Sequence, residues 1–206
     1  MPRSGTRLWL TALLFVAIGF ILFFAYQYLR AGHIQAAEGR QEYDKGKFDL
    51  AEKAYARATE ADPDNADAWY WLGISRKNQG ESATAADALA KATALSPKRI
   101  DWWIEYAEAL QWAERFSEAE QAWQKVIALL PPDDPRLQKA RDNLALSMGG
   151  QGGPNVDRAV NMLEGILAKN DDRRVRFTLA QVLAWAGRLE ESKEQYRRAL
   201  NSPREE

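Results

Sequence analysis

Small, apolar and proline residues recur along this chain with a fixed period of 34 positions. The three matching sets are Gly39, Ala51, Tyr55, Ala58 and Pro63; Gly73, Ala85, Leu89, Ala92 and Pro97; and Ala107, Ala119, Trp123, Val126 and Pro131. A period of this length, with apolar residues at helical spacing inside each unit, is typical of stacked helix–turn–helix repeats. The pattern therefore predicts an all-α array, a class that acts by presenting surfaces to other molecules.

Each unit is predicted to contain two helices, and a proline closes the first three units. Gly46 and Gly80 interrupt the first two units. Small residues such as Gly39 let the paired helices approach closely. Asn65 and Asp101 precede the apolar patterns of the second and third units, where side-chain oxygens are expected to cap a helix.

After Pro131 the pattern becomes less regular. The run from Gly149 to Gly153 is predicted to be an enlarged loop inside a fourth helix pair, because consecutive glycines disfavour helix. A fifth pair is interrupted at Gly187 and closes at Pro203. Its last helix is rich in charged residues and is expected either to cap the array or to be covered by a partner. The predicted units are 33–64, 66–98, 100–132, 136–170 and 173–203.

A segment without charged residues, Leu8–Leu29, precedes the repeats and follows a short basic tail over residues 1–7. Its length corresponds to roughly 33 Å of helix, enough to cross a hydrocarbon core of about 30 Å. Trp9 and Tyr26 suit the two interfacial regions. A cleaved signal peptide is the alternative, but the apolar stretch exceeds the usual h-region of roughly 7–15 residues. The sequence therefore predicts an uncleaved transmembrane helix.

Basic residues flank this segment on both sides, so its orientation rests on their number and context. Arg3 and Arg7 favour a cytoplasmic N-terminus, whereas the basic residues between positions 30 and 47 are mixed with acidic ones in the first repeat. We therefore predict a single-pass protein of a bacterial inner membrane, with its repeats in the periplasm.

Composition argues against catalysis. The chain has no cysteine, one histidine (His33) and a formal net charge of −1. These features leave no thiol chemistry, no protein-only metal site and no electrostatic footprint for nucleic acid. The acidic pairs at 133–134 and 171–172 lie at predicted helix starts, where carboxylates favour the helix dipole. We expect no enzymatic activity, cofactor, metal or small-molecule substrate.

The repeated residues resemble those of the tetratricopeptide-repeat family over about 33–203. That resemblance implies a right-handed α-solenoid of about five helix pairs, whose concave groove is lined by the first helix of each pair. Such a groove suits an amphipathic peptide or helix, although individual residues could instead pack between pairs. His33 lies at the near end of the implied groove. The implied partner-binding residues are Arg40, Tyr43, Tyr70, Ile74, Lys77, Ile104, Glu108, Trp112, Phe177, Gln181 and Trp185.

Four tryptophans are not required by the repeat: Trp71, Trp102, Trp112 and Trp185. Aromatic residues beyond those of the core are common anchors at interfaces. At least two of the four are expected to contact a partner. Stacking on sugars and, for Trp102, contact with lipid or a neighbouring subunit are alternatives. The other repeat tryptophans, at positions 69, 103 and 123, are assigned to the core.

Two longer stretches, Asp101–Ala113 and Ala122–Gln138, are similar to tetratricopeptide subunits of bacterial c-type cytochrome maturation systems. This resemblance implies a membrane-anchored scaffold that holds a client protein in a cell-envelope complex. Those subunits often have a second membrane span, which this sequence does not show before its repeats. A permanent accessory subunit of a larger membrane complex is an alternative. Leu179–Arg188 is similar to repeats of polysaccharide exporters, which is another alternative.

Overall fold

A computed structural model of the chain describes the backbone of residues 4–201 and the side chains of residues 13–24, 26–27 and 32–201. Within these residues the chain forms ten helices joined by short turns, which confirms the all-α class. They are α1 (Ser4–Asp44), α2 (Phe48–Ala61), α3 (Ala66–Asn78), α4 (Ser82–Leu95), α5 (Ile100–Trp112), α6 (Phe116–Leu129), α7 (Arg136–Gln151), α8 (Pro154–Leu167), α9 (Arg173–Trp185) and α10 (Leu189–Asn201).

The helices pack in consecutive order. The end of α1 packs on α2, and the pairs α3–α4, α5–α6, α7–α8 and α9–α10 follow. Each second helix also packs on the first helix of the next pair, so that the pairs form one stacked array. First helices touch directly between α1 and α3, between α3 and α5, and between α7 and α9. The first helices thus form one layer and the second helices another.

Helix α1 is 41 residues long and runs without a break into the first pair. Among the helices that the structure describes, none is both long enough and apolar enough to cross a membrane. The transmembrane segment predicted over Leu8–Leu29 is therefore not confirmed. The side chains of residues 8–12, 25, 28 and 29 of that segment lie outside the described residues, as do those of the predicted basic tail, residues 1–7. Pro203, the predicted end of the array, also lies outside the described residues.

The predicted glycine breaks are confirmed. Gly46, Gly80 and Gly187 have φ angles of 73°, 82° and 73°, in the left-handed region that glycine enters at little cost. In the third unit the equivalent residue is Glu114, with φ of 56°. It is the only residue other than glycine with positive φ between positions 4 and 201.

The loop predicted over Gly149–Gly153 is wrong in its first half, because α7 continues to Gln151. The first two glycines of the run are required for close packing of α7 against neighbouring helices, not for a turn. A Cβ atom at Gly150 would lie 2.7 Å from the ring of Phe116, and one at Gly149 would lie 3.1 Å from Val182. These two glycines let neighbouring helices approach α7, and only the last two glycines of the run form the turn.

One of the two expected helix caps is present and the other is wrong. The Asn65 side chain accepts a hydrogen bond from the Ala68 N–H at 3.0 Å. Asp172, which was expected at a helix start, also caps its helix, because it accepts a hydrogen bond from the N–H of Arg174 at 2.7 Å. Asp101 does not cap α5, because the helix begins one residue earlier. Its carboxylate instead pairs with Arg136 at 2.8 Å.

The core between helices follows the repeat. Tyr55, Leu89 and Trp123 occupy equivalent positions and are almost fully buried. Burial of such a side chain contributes roughly 1.5–3 kcal/mol. A Cβ atom at Gly73 would lie 2.6 Å from Leu89 Cγ, which explains the small residue at this crossing. In the first two pairs a large side chain of the second helix therefore meets a glycine of the first helix, namely Tyr55 with Gly39 and Leu89 with Gly73.

Two tryptophans attach the start of a first helix to the preceding turn. The indole Nε1 of Trp69 donates to the carbonyl of Pro63 at 2.8 Å, and that of Trp103 donates to the carbonyl of Pro97 at 3.0 Å. Both rings are half-buried. The assignment of these tryptophans to structural positions is confirmed by these bonds.

Candidate partner-binding surface

The predicted groove residues lie on α1, α3, α5 and α9, and the structure separates them into three groups. Some pack against a neighbouring first helix, some pack on the core or on the second helix of their own pair, and some are open. The difference matters because a side chain already enclosed by its own chain has little surface left for a partner.

Trp71 on α3 is held from three sides. The guanidinium of Arg40 lies 4.4 Å from its ring centre, and the rings of Tyr43 and Tyr70 lie 5.0 Å and 5.2 Å away. Tyr43 also accepts a hydrogen bond from Asn78 Nδ2 at 3.1 Å. Stacking of a cation and aromatic rings in this way stabilises the junction of α1 with α3.

The stack continues to α5. Tyr70 lies parallel to Trp102 at 4.8 Å, and the guanidinium of Arg99 covers that ring at 4.4 Å. Burial raises the pKa of Tyr70 to about 12. Trp102 is only 3% exposed, which contradicts the alternative that it contacts lipid or a neighbouring subunit. These aromatic residues join successive pairs.

Lys77 on α3 bridges to α5. Its Nζ lies 2.6 Å from Glu105 and 2.8 Å from Glu108, and Lys139 on α7 reaches Glu108 at 3.5 Å. Burial lowers the pKa of Lys77, but its bonds to both carboxylates outweigh that effect and leave the pKa raised. The charges of three successive first helices thus compensate one another.

Two predicted residues are open. Trp112 at the end of α5 is 61% exposed, with the Lys77 ammonium 4.8 Å from its ring centre. Trp185 at the end of α9 is 51% exposed and lies 6.5 Å from the ring of Phe116. Both tryptophans end a first helix, two residues before the positive-φ residue of the turn. Gly150 occupies the same place on α7, between them in the order of pairs.

The remaining predicted residues differ in how far they are buried. Ile74 is 8% exposed and belongs to the core, so its assignment to the groove is wrong. Ile104 is half-buried against that core. Phe177 packs on Tyr196 of α10 at 5.9 Å, and Gln181 is exposed. His33 is exposed and lines a cavity of about 310 Å³ with Arg40 and other residues.

Sequence reasoning missed four residues of this surface: Glu105, Lys139, Phe116 and Gly150. Glu105 stands three residues before Glu108, a spacing that places both on one face of a helix and could have indicated the bridge to Lys77. Phe116 is the first residue of α6, the second helix of its pair. Its contact with Gly150 depends on the unexpected extension of α7.

Comparison with known families defines the class of protein. Two family models, each described as a tetratricopeptide repeat, match residues 36–100 and 77–144. Together they cover more than half of the chain, from 36 to 144. The chain belongs to the tetratricopeptide-repeat family. Arrays of this kind act mainly by binding, and the expectation that this chain has no enzymatic activity stays a prediction.

Solved structures share the fold. The crystal structure of MamA protein is 24% identical, has a TM-score of 0.63 and covers 82% of this chain and 90% of its own. YrrB, described as a repeat protein with an unusual peptide-binding site, is 17% identical, with a TM-score of 0.63 and coverage of 81% and 84%. A putative kinesin light chain from Podosopora anserina is 18% identical, with a TM-score of 0.61 and coverage of 84% and 94%. At these identities the likeness concerns the fold alone.

One curated relative bears on the narrower resemblance. The cytochrome c-type biogenesis protein CycH of Pseudomonas aeruginosa is 23% identical over an alignment that covers 57% of this chain. The alignment spans 40% of the length of that relative. The similarity to cytochrome-maturation repeat proteins is therefore supported at the level of a distant relative.

Proposed function

We propose that this chain is a scaffold that binds a protein partner through the face formed by its first helices, with Trp112 and Trp185 as the main contacts. The observation that carries the proposal is their exposure. Both indoles stay more than half open at equivalent positions of two pairs, while neighbouring aromatic residues on the same face are packed. Exposed tryptophans on one face are characteristic of interface anchors.

The partner is a protein of the cell envelope, and the chain acts as an assembly or maturation factor that holds it. Support comes from the distant relationship to a cytochrome c-type biogenesis protein and from the two similar sequence stretches described above. In this role the chain would bind its client transiently and would not remain in the finished product.

The proposal includes attachment to a bacterial inner membrane through residues 8–29, with the repeats in the periplasm. Its support is the uncharged stretch in the sequence and the large apolar side chains exposed between residues 13 and 24. Because α1 continues directly into the first pair, attachment would hold the repeats beside the membrane and raise their effective concentration for membrane-bound partners. Extraction of membranes at alkaline pH tests this. The chain is expected in the pellet, and its release would contradict attachment.

Binding is tested by purifying the full-length chain from its own cells in mild detergent and quantifying what accompanies it by mass spectrometry. The double substitution Trp112→Ala with Trp185→Ala should reduce recovery of the partner at least about tenfold, which corresponds to about 1.4 kcal/mol. Leu200→Ala removes an exposed apolar residue from α10 and serves as the matched control. Equal recovery by the double variant would show that the partner binds elsewhere.

The maturation role is tested separately, by deleting the gene and staining membranes for covalently bound haem. We expect c-type cytochromes to decrease and to be restored by the wild-type chain, but not by the double tryptophan variant. Unchanged cytochromes would contradict this role and favour a permanent accessory subunit, which would be recovered in stoichiometric amounts with its complex.

A further inference from the structure

A cavity of about 560 Å³ lies between the start of α7, the second half of α8 and the turn that leads to α9. These three helices pack directly on one another. The volume falls within the range of roughly 300–1,000 Å³ that is typical of small-molecule sites. None of the residues that line this cavity was assigned to the partner-binding surface, so it is a separate feature of the array.

Two basic side chains of the cavity have no partner. Arg141 on α7 and Lys169 in the turn after α8 form no hydrogen bond or ion pair with any residue that the structure describes. Two other basic residues of α7, Arg136 and Lys139, each pair with a carboxylate of α5. Cations that line a cavity without a counterion attract an anion. The cavity therefore differs in charge from the paired surface around it.

The acidic residues near the cavity are already engaged. Asp172, which also lines it, is 8% exposed and accepts hydrogen bonds from the N–H groups of Arg174 and Val175. A carboxylate at this place is compensated by the positive end of α9. Asp142 accepts a hydrogen bond from Gln138 at 2.9 Å. The charges that remain open to a ligand are those of the two cations.

Neutral groups complete a site for an anion that has an apolar part. The side-chain amides of Asn161 and Asn170 line the cavity and have no partner among the described residues. Such amides can donate hydrogen bonds to carboxylate or phosphate oxygens. Met162 and Ile166 of α8 are half-buried and form an apolar wall. An apolar lining with a few convergent polar groups is the usual composition of a small-molecule site.

Gly165 keeps the cavity accessible. A Cβ atom at each of the other helix glycines between residues 32 and 201 would lie 3.3 Å or less from a neighbouring atom, whereas one at Gly165 would meet nothing within 4 Å. Glycine inside a helix is destabilising relative to alanine. No packing contact requires Gly165, but the residue lines the cavity, and a side chain there would reduce the open space.

We infer that this cavity binds a small organic anion, whose carboxylate or phosphate group is held by Arg141 and Lys169 and whose apolar part packs on the wall formed by α8. The amides of Asn161 and Asn170 donate to the oxygens of the same group. Hydrogen bonds from charged donors give the site its preference for an anion. The site goes beyond the proposed function and does not depend on it.

The test uses four probes at constant ionic strength: phenyl phosphate, phenylacetate, inorganic phosphate and phenethylamine. They are added to the full-length chain in an uncharged detergent, and the side-chain amide signals of Asn161 and Asn170 in proton–nitrogen NMR spectra report binding. We expect at least one organic anion to bind with a Kd on the order of 1 mM or lower. Its binding should be at least about tenfold tighter than that of inorganic phosphate, which lacks the apolar part, and of phenethylamine, which carries the opposite charge.

Three outcomes of this titration would overturn the inference. Phenethylamine could bind as tightly as the organic anions, which would show that the charge of the ligand is not recognised. Inorganic phosphate could bind equally well, which would show that the apolar wall takes no part. Neither organic anion might bind up to about 10 mM, which would show that the cavity is not a site for this class of ligand.

Matched variants locate the binding. Arg141→Gln and Lys169→Gln should each raise the Kd at least about fivefold, because each removes a charged donor. Gly165→Leu should abolish binding by filling the cavity, and its thermal unfolding should stay cooperative because the new Cβ enters open space. Lys91→Gln on α4, outside the cavity, is the control and should leave the Kd within about twofold of wild type. Unchanged affinity in both cavity glutamine variants would overturn the inference, whatever the fate of Gly165→Leu.

A further measurement separates a small molecule from an acidic side chain of the protein partner. Arg141→Gln combined with Lys169→Gln should recover the partner in mild detergent as well as wild type does, because the cavity shares no residue with the tryptophan surface. Reduced recovery would overturn the assignment to a small molecule. Failure of the tryptophan variants to reduce recovery would contradict the proposed function and leave this site unaffected.

Discussion

At the scale of single residues, Glu114 stands where the other pairs have glycine. Its φ of 56° is costly for a side chain with a Cβ atom, and its side chain is exposed. We expect Glu114→Gly to raise the free energy of unfolding by about 0.5–1 kcal/mol, since relief of the strained backbone exceeds the added freedom of the unfolded chain. Urea denaturation measures this, with Gly80→Ala as the opposite control. A lower midpoint for Glu114→Gly would show that its conformation is not strained.

Residue types could be predicted more readily than exposure. The 34-residue period located the small residues at helix crossings and the prolines after second helices, because those positions depend on local geometry. Trp102 and Trp112 belong to the same helix and both exceed the repeat pattern, yet one is enclosed and the other is open. Tyr70, which covers Trp102, comes from the preceding pair, and no local pattern indicates that contact.

At the scale of elements, α7 shows how packing can override helix propensity. Gly150→Ala should strengthen the helix locally, but the new Cβ would press on the ring of Phe116. We expect a net loss of about 1–3 kcal/mol in stability, together with weaker partner binding because Phe116 supports Trp185. Gly165→Ala in α8 meets open space and should instead stabilise by up to about 1 kcal/mol. Similar gains for both variants in thermal unfolding would contradict the packing account.

Helix α7 also carries a pH-dependent group. Burial raises the pKa of Asp142 from 3.8 to about 6, while a hydrogen bond from Gln138 opposes the rise. The native state therefore keeps this proton to higher pH than the unfolded chain. Protonation of Asp142 therefore contributes to the free energy of unfolding. This contribution is fully present below about pH 4 and is lost as pH rises through about 6.

The corresponding variant is Asp142→Asn, which removes the buried charge. It should raise the free energy of unfolding at pH 7 by about 1–2 kcal/mol and remove this part of the pH dependence. Gln138→Leu should shift the loss of stability to higher pH, because the charged form of Asp142 loses a donor. Denaturation curves between pH 4 and 7 provide the measurement. An unchanged slope in Asp142→Asn would show that this carboxyl is not the group responsible.

At the scale of the whole molecule, the stacked array of helix pairs could be predicted from the 34-residue repeat. Which residues of its surface are open to a partner could not be predicted in this way. Lys77 and Glu108 were assigned to the open groove, but they hold successive first helices together. Tyr43 and Arg40 likewise pack on Trp71. Some of the groove positions given by the family resemblance therefore hold neighbouring helix pairs together, and others remain open to a partner. The packing of neighbouring pairs, which the sequence does not show, determines the role of each residue.

The most direct test of the central claim is the affinity of the co-purified partner for the wild-type chain and for three variants. These are Trp112→Ala, Trp185→Ala and the control Leu200→Ala, measured by titration calorimetry. We predict that each tryptophan variant raises Kd at least about fivefold, or about 1 kcal/mol, and that the control stays within twofold of wild type. Affinities that are the same in all four proteins would contradict binding through the open ends of α5 and α9.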